Sequence, residues 1–188
     1  MQQHMKLSDP SRINFKFPCI KARQPIGDLY IASLPFNILC AIADFDVRRV
    51  MQDERDVEKY LGIQRPLNPK RVREIEEFVN FSDASFPGSI IIAVDERSVS
   101  YDDQEKTMVL SNVIEGDDPI MARHIARVID GQHRIAGLYK FRFETFDCPV
   151  TILVGADISD QAQMFSRVNI HQTKVNASLA YDLYELSL

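Results

Sequence analysis

Residues 128–139 constrain the fold of this chain more than any other stretch, because they join a short apolar strand directly to a helix. The stretch begins with two β-branched residues, which favour a strand, and Gly131 then permits a tight turn of the backbone. Apolar side chains at positions 135, 138 and 139 recur with the spacing of one helix face. The pattern predicts a strand over 127–130 and a helix from 132 to about 141, with Asp130 as its N-cap.

The first turn of such a helix is a place where an anion can bind. Its backbone N–H groups have no partner within the helix, and the helix dipole makes this end positive. A strand, a tight turn and a helix N-terminus together favour a phosphate ligand. We therefore predict that the turn binds a phosphate through the backbone at Gly131 and through the residues that follow it, Gln132, His133 and Arg134.

Each polar side chain of the turn has a second interpretation. Arg134 can hold a phosphate through two parallel hydrogen bonds, but an arginine in a first helical turn is more often simply solvated. His133 could act as a general base or bind phosphate, or it could only form a hydrogen bond with a neighbouring loop. Asp130 could bind Mg²⁺ through one carboxylate oxygen, although capping alone explains it equally well. Asp130 and His133 are the candidate catalytic residues if the protein is an enzyme.

Residues 130–134, Asp-Gly-Gln-His-Arg, resemble the motif of the DGQHR-domain proteins, whose best-known members are the DndB-type proteins of bacterial DNA sulfur-modification systems. Residues 64–72 match a second segment of that family, Gln-Arg-x-Leu-Asn-x-x-Arg-Val. Residues 164–169, followed by Ser178 and Leu179, resemble a third. The resemblance runs from about residue 12 to the C-terminus. It implies an accessory or regulatory role, including transcription regulation, in DNA modification of the phosphorothioation type.

A wider resemblance links the motif to the ParB/sulfiredoxin superfamily, in which a strand followed by Gly-x-x-Arg and a helix binds nucleotide phosphates. It implies an α/β (α+β) fold with a small mixed sheet and flanking helices, and the alternation of strands and helices after residue 68 agrees with it. It also implies a nucleoside triphosphate ligand (ATP, GTP or CTP), with Mg²⁺ as a companion ion. Hydrolysis, phosphoryl transfer and a ligand-driven switch stay open as consequences of binding.

The resemblance assigns further phosphate or nucleotide contacts to residues ahead of the motif. Gln64, Arg65 and Asn68 precede a second predicted helix, and by analogy with the fold they face the motif from the far side of the pocket. Asn68 followed by proline is a strong helix start, because the asparagine caps and the proline fits the first helical position. Apolar residues at 72, 75 and 79 form the buried stripe of that helix.

A third group of candidate contacts lies between two predicted helices near the C-terminus. Asn169 and Gln172 match the Asn-x-x-Gln with which partition proteins of the superfamily contact their nucleotide. The arginine that follows in those proteins is replaced by Thr173, and Lys174 stands one place later. An inter-helix loop with capping residues is the alternative interpretation of this segment.

The remaining sequence divides into a tail, one domain and a terminal helix. We expect residues 1–11 to be disordered, residues 12–175 to form the domain, and residues 176–188 to begin a C-terminal helical extension that continues further in longer members. Residues 44–60 are dense in charge and predict a solvated helix or loop. Further predictions are strands over 13–17, 29–32, 90–94 and 149–154, a hairpin around 107–110, a helix from 35 to 43, and a helix capped by Asp157 or Ser159.

Charge limits the partners of this domain. With 22 basic against 27 acidic residues, the net charge of -5 opposes a large DNA-binding face. Lys21 and Arg23, at the end of the first strand, are candidates for weak DNA contacts, although exposed strand-end charge explains them as well. We expect DNA binding only in an oligomer or a longer form. The leucine stripe of the terminal helix favours packing against a second subunit, as in a homo-oligomer, or against a further C-terminal part of the protein. The family resemblance implies DNA-modification proteins as additional partners.

Several function classes are disfavoured by composition. Three isolated cysteines without a CxxC pair argue against a zinc ribbon or a disulfide scaffold. No signal peptide and no apolar run of ~20 residues is present, so we expect a cytoplasmic protein without membrane contact. Two hypotheses remain. The first is a nucleotide-binding or phosphate-binding accessory protein of a DNA-modification system that hydrolyses nucleotide slowly, and the alternative is a nucleotide-dependent phosphotransferase or nuclease that uses the motif turn.

Overall fold

A computed structural model describes residues 12–44, 67–113 and 120–170 of the chain. Its strands and helices follow, for the most part, the hydrophobic alternation and helical periodicity of the sequence. In chain order they are β1 (Asn14–Gln24), β2 (Gly27–Pro35), α1 (Phe36–Ile42), β3 (Ala43–Asp44), α2 (Pro69–Phe78), β4 (Ile90–Val94), β5 (Val99–Asp102), β6 (Thr107–Ser111), β7 (Ala126–Asp130), α3 (Gln132–Leu138), β8 (Asp147–Val154) and α4 (Ile158–Ile170).

The eight described strands, counting the two-residue β3, form one mixed sheet with the order β3-β7-β4-β8-β2-β1-β6-β5. β4 runs parallel to β8, from Ile90 opposite Val150 to Val94 opposite Val154. β7 lies on the other side of β4 and runs antiparallel to it. The carboxyl end of β7, where the motif begins, therefore lies at the opposite end of the strands from the carboxyl ends of β4 and β8.

Each face of the sheet has its own apolar cluster, because successive side chains of a strand point to opposite faces. The larger cluster includes side chains of α1, and Ile75 of α2 and the following Val79 also pack into it. Ile135 and Leu138 of α3 are fully buried in this cluster. The smaller cluster lies on the other face, against Met164 of α4. Its buried members are Leu29, Ala93, Ile129 and Leu153. The helix that follows the motif is thus anchored by the main core.

Helices α2 and α3 approach each other closely where Gly137 meets Ile75. A Cβ atom at position 137 would lie 2.3 Å from Ile75 Cγ2 and 2.9 Å from Ile75 Cβ, so only glycine fits without a shift. Asn80, just beyond α2, joins the same two helices at their far end. Its side-chain amide donates to the carbonyl oxygens of Glu76 at 2.7 Å and of Lys140 at 3.2 Å. These contacts fix the two helices relative to each other.

The mixed sheet with flanking helices that the sequence predicts is confirmed. The predicted hairpin around 107–110 is present as β5 paired to β6. The predicted strands over 13–17 and 29–32 lie in β1 and β2, which form another hairpin with Gln24 opposite Gly27 at its turn. Asp157 caps α4, since its Oδ1 accepts from the backbone N–H of Asp160 at 2.8 Å. None of the described helices is both long and apolar enough to cross a membrane.

Two predicted helix ends are wrong. Residue 43, assigned to the first helix from the sequence, lies in β3, because it pairs with Ala126 of β7 in a parallel ladder. The motif helix ends at Leu138 rather than near 141. The N–H groups of residues 139–141 donate three residues back instead of four, so the last turn is tightened. The predictions for the N-terminal tail, for residues 45–60 and for the C-terminal helix lie outside the described residues.

Candidate functional site

The turn after β7 has the tight glycine conformation that the sequence predicts, but a different residue caps the helix. Gly131 has a φ of 97°, in the left-handed region, and a Cβ there would lie 3.0 Å from Ile90 Cγ1. Its carbonyl oxygen accepts from the backbone N–H groups of Arg134 at 2.9 Å and Ile135 at 3.1 Å, which starts α3. Gly131 is the N-cap, and the predicted capping by Asp130 is wrong because that carboxylate has another partner.

The partner of Asp130 is Arg134, whose guanidinium is bound within the protein. Arg134 Nη2 donates to Asp130 Oδ2 at 3.0 Å and to the carbonyl oxygen of Ser89 at 3.0 Å, while Nη1 donates to the carbonyl oxygen of Gly88. The two side chains are 21% and 28% exposed, so the ion pair is largely enclosed. Arg134 therefore fastens the loop that leads into β4 beside the motif turn.

The side chain of His133 joins the N-termini of α2 and α3. Its Nε2 accepts a hydrogen bond from the backbone N–H of Asn68 at 3.0 Å. This contact requires a neutral imidazole with its proton on Nδ1, because an accepting ring nitrogen carries no proton. Asn68 is the N-cap of α2, and its Oδ1 accepts from the N–H groups of Lys70 at 3.0 Å and Arg71 at 3.3 Å. The structure thus brings Asn68 next to the motif.

The surroundings of His133 at this junction of α2 and α3 disfavour the protonated imidazole. Burial lowers the pKa of His133, and the positive charge of Arg71 lowers it further, whereas Asp130 acts in the opposite direction. Arg71 is exposed and forms no ion pair with any other described residue. Lys70 beside it makes only a long contact of 3.9 Å with Glu74, in which both side chains are mostly exposed. An anion beside His133 would meet Arg71 and the positive end of α2.

Residue types alone did not single out Arg71 as a member of the site. Its place in a charged stretch, Lys70-Arg71-Val72-Arg73-Glu74, is typical of a solvated helix face. The signal that identifies it is its position in the segment 64–72 that resembles the DGQHR family. Its proximity to His133 depends on how α2 packs against α3, which no local pattern reveals.

The two basic residues predicted to contact DNA lie away from the motif, since three strands separate β1 from β7. Lys21 Nζ lies 3.4 Å from Asp28 Oδ2 and within 5.6 Å of the ring centroids of Tyr30 and Tyr101. Lys21 is therefore engaged within the sheet, while Arg23 is exposed near the end of its strand. DNA contacts by this pair stay a prediction.

The remaining candidate residues are placed as follows. Gln132 follows the turn and is half-buried, and Asn169 lies in the last turn of α4. Gln64, Arg65, Gln172 and Lys174 lie outside the described residues. Among the residues that the structure describes, no group of three or more His, Cys, Asp or Glu side chains is arranged to hold a metal ion. Binding of Mg²⁺ by Asp130 stays a prediction.

A cleft of about 550 Å³ lies at the opposite end of these strands from the motif turn, where β4 and β8 end and β7 begins. Glu96, His124 and Arg127 are among its lining residues, and neither the motif nor Asn68 contributes to it. A ligand at the junction of α2 and α3 would therefore bind at a separate surface.

Comparison with known protein families gives a match over most of the chain. The family model described as DndB, DNA-sulfur modification-associated, matches residues 17–186, which is most of the chain and includes the whole junction. No curated protein and no solved structure matches significantly.

Proposed function

Because the chain belongs to the DndB family of DNA-sulfur modification-associated proteins, we propose that it is an accessory or regulatory protein of such a system that binds nucleotide phosphates. The ligand is a nucleoside triphosphate (ATP, GTP or CTP), held where α2 and α3 meet. DNA contacts are weak and depend on an oligomer or a longer form, since the net charge of -5 opposes a polyanion.

The observation that carries the proposal is the hydrogen bond from the backbone N–H of Asn68 to His133 Nε2. It holds the N-terminus of the ten-residue α2 against the Gly131 turn and brings Arg71, whose positive charge acts on His133, to the same place. Charge-assisted hydrogen bonds to phosphate are among the stronger polar contacts in proteins. Burial is the main cause of the lowered pKa of His133, and the positive charge of Arg71 adds to it, which supports placing Arg71 close to this imidazole.

The residues of the junction divide into two roles in this proposal. Arg71 and His133 contact the phosphates, and Arg134 positions the turn and the loop at 88–89 from behind. The enclosed ion pair of Arg134 with Asp130 supports the positioning role, because it uses the guanidinium inside the protein. We expect slow hydrolysis rather than rapid turnover, because the carboxylate of Asp130 is paired with Arg134 and is not free to act as a base.

Isothermal titration calorimetry with ATP, GTP and CTP, each with and without Mg²⁺, tests the proposal. We expect one of the three to bind, and Arg71→Ala to weaken binding by about 1.5–3 kcal/mol, the usual value of a charge-assisted contact. Arg73→Ala is the matched control. It removes the same charge from the same helix, but two residues turn the side chain by about 200° around the helix axis. If the folded protein binds none of the three nucleotides, or if both variants lose affinity equally, the proposal is wrong.

A further inference from the structure

Phenylalanine side chains form a continuous row beyond the carboxyl ends of α2 and α3. Successive ring centroids lie 6.1, 5.1, 5.3 and 5.6 Å apart along the order Phe78, Phe86, Phe146, Phe141, Phe143. The three inner rings pack against the main core. The two end members are exposed, Phe78 by 38% and Phe143 by 57%. The row is therefore a rigid feature with both ends at the surface.

A third exposed ring lies in the same region. Phe81 is 62% exposed and lines a cleft of about 550 Å³ together with Asn80, Lys140 and Arg142. Asn80 holds the two sides of this cleft together, because its Oδ1 also accepts from the backbone N–H of Arg142 at 3.1 Å. Phe78, Phe81 and Phe143 are called the aromatic surface below. Of these three rings, Phe81 lines the cleft, and Phe78 precedes it by one helical turn. Exposed apolar groups beside a cleft commonly mark a site of interaction with another molecule.

The charges beside the aromatic surface are mainly negative. Glu77, Asp83 and Glu144 stand within two residues of its three rings and form no ion pair with another described residue. Lys140 is neutralised by Glu76 at 2.8 Å. Among the described residues within two positions of these rings, Arg142 is then the one cation against these three carboxylates. Phosphate groups would be repelled here, whereas lysine or arginine side chains would be attracted.

We propose that the aromatic surface docks a protein partner through a segment with apolar anchors flanked by lysine or arginine residues. Aromatic anchors supply much of the binding energy of protein interfaces, and an amphipathic helix in a groove is a common geometry for such a segment. The carboxylates around the rings determine the sign of the partner's charge. Because this surface lies at the end of α2 and α3 away from the motif, a partner and a nucleotide could be bound together.

The test uses the full chain and a synthetic amphipathic helix of about 20 residues, with leucine on one face and lysine on the other. Two comparison probes are the same peptide with glutamate in place of lysine, and a single-stranded oligothymidine. Fluorescence anisotropy should show binding of the lysine peptide only. In the double variant Phe81→Ser/Phe143→Ser this affinity should fall about tenfold or more, because two exposed anchors are lost.

The matched control is Ile20→Ser, which removes an apolar side chain that is 66% exposed on β1. It should leave the affinity for the lysine peptide unchanged, and thermal melting should show both variants folded. The proposal is overturned if the lysine peptide does not bind or binds the double variant equally well. It is also overturned if the glutamate peptide or the oligothymidine binds better. Self-association in sedimentation that is lost in the double variant would identify a second copy as the occupant instead.

Discussion

Replacing Arg134 by alanine should lower the free energy of unfolding by about 2–4 kcal/mol. The variant loses three hydrogen bonds, to the carbonyl oxygens of Gly88 and Ser89 and to Asp130 Oδ2. A hydrogen bond to a charged group contributes about 1.5–3 kcal/mol when it is well enclosed. The side chains of Arg134 and Asp130 are 21% and 28% exposed, so water can replace part of the lost hydrogen bonding. The sum of three full hydrogen-bond contributions is therefore an upper bound on the loss of unfolding free energy.

Urea unfolding of the wild type and the variant measures this loss directly. In a protein of this size each kcal/mol corresponds to about 2–4 °C in melting temperature, so a decrease of roughly 5–15 °C should accompany it. Arg134→Lys should be intermediate, because one ammonium group cannot reproduce a planar fork with donors in three directions. Arg142→Ala, at an exposed arginine without an ion pair among the described residues, should stay within about 0.5 kcal/mol of wild type.

The opposite result would refute the positioning role. If Arg134→Ala unfolds like the wild type but no longer binds nucleotide, the arginine contacts the ligand and the internal hydrogen bonds contribute little. The positioning role of Arg134 is supported if the variant is much less stable but still binds nucleotide at a temperature where it is folded.

Two further predictions concern the contacts between α2 and α3. In the same urea assay, overpacking of Gly137→Ala against Ile75 should cost about 1–3 kcal/mol and the better helix propensity of alanine should offset about 1 kcal/mol of it, for a net loss of about 0–2 kcal/mol. A variant about 1 kcal/mol more stable than wild type would show that the helices accommodate the added methyl group without cost. Because the pKa of His133 is lowered in the folded state, its neutral form stabilises the fold above the ordinary value of about 6.5, and that stabilisation is lost as the pH falls through the folded pKa. The difference in unfolding free energy between wild type and His133→Gln should therefore shrink from about pH 7.5 to about pH 5, and a constant difference would contradict the neutral assignment.

Features that depend on residues close together in the chain were predictable from the sequence. A glycine between an apolar strand and a helical stripe was sufficient to locate the turn at Gly131, and the same periodicity identified Ile135 and Leu138 as core residues. The partners of the motif were not predictable in this way. Arg134 meets carbonyl groups 45 and 46 residues earlier in the chain, and the histidine next to it meets Asn68, 65 residues away. Those pairs are set by the strand order, for which the sequence contains no local signal.

Capping illustrates the same distinction. An aspartate before a helix is a good N-cap by residue type, and that preference would have prevailed without a stronger partner nearby. Here the guanidinium four residues later draws Asp130 away, and Gly131 caps through its backbone alone. A local preference was overridden by a charge-assisted contact whose other two acceptors come from a distant loop.

The strand order also determines when, during folding, the junction can exist. β1 and β2 are joined by a tight turn and can pair early, whereas Ile90 and Val150 are sixty positions apart in the chain, so that their pairing must close a much longer loop. β4 lies between β7 and β8 and supports the Gly131 turn through Ile90, so the place where the two helix N-termini meet is completed late. A ligand that binds only there would bind only folded molecules and would therefore shift the equilibrium toward the folded state. If that ligand is a nucleotide, as proposed, its concentration would also shift the fraction of this protein that is folded.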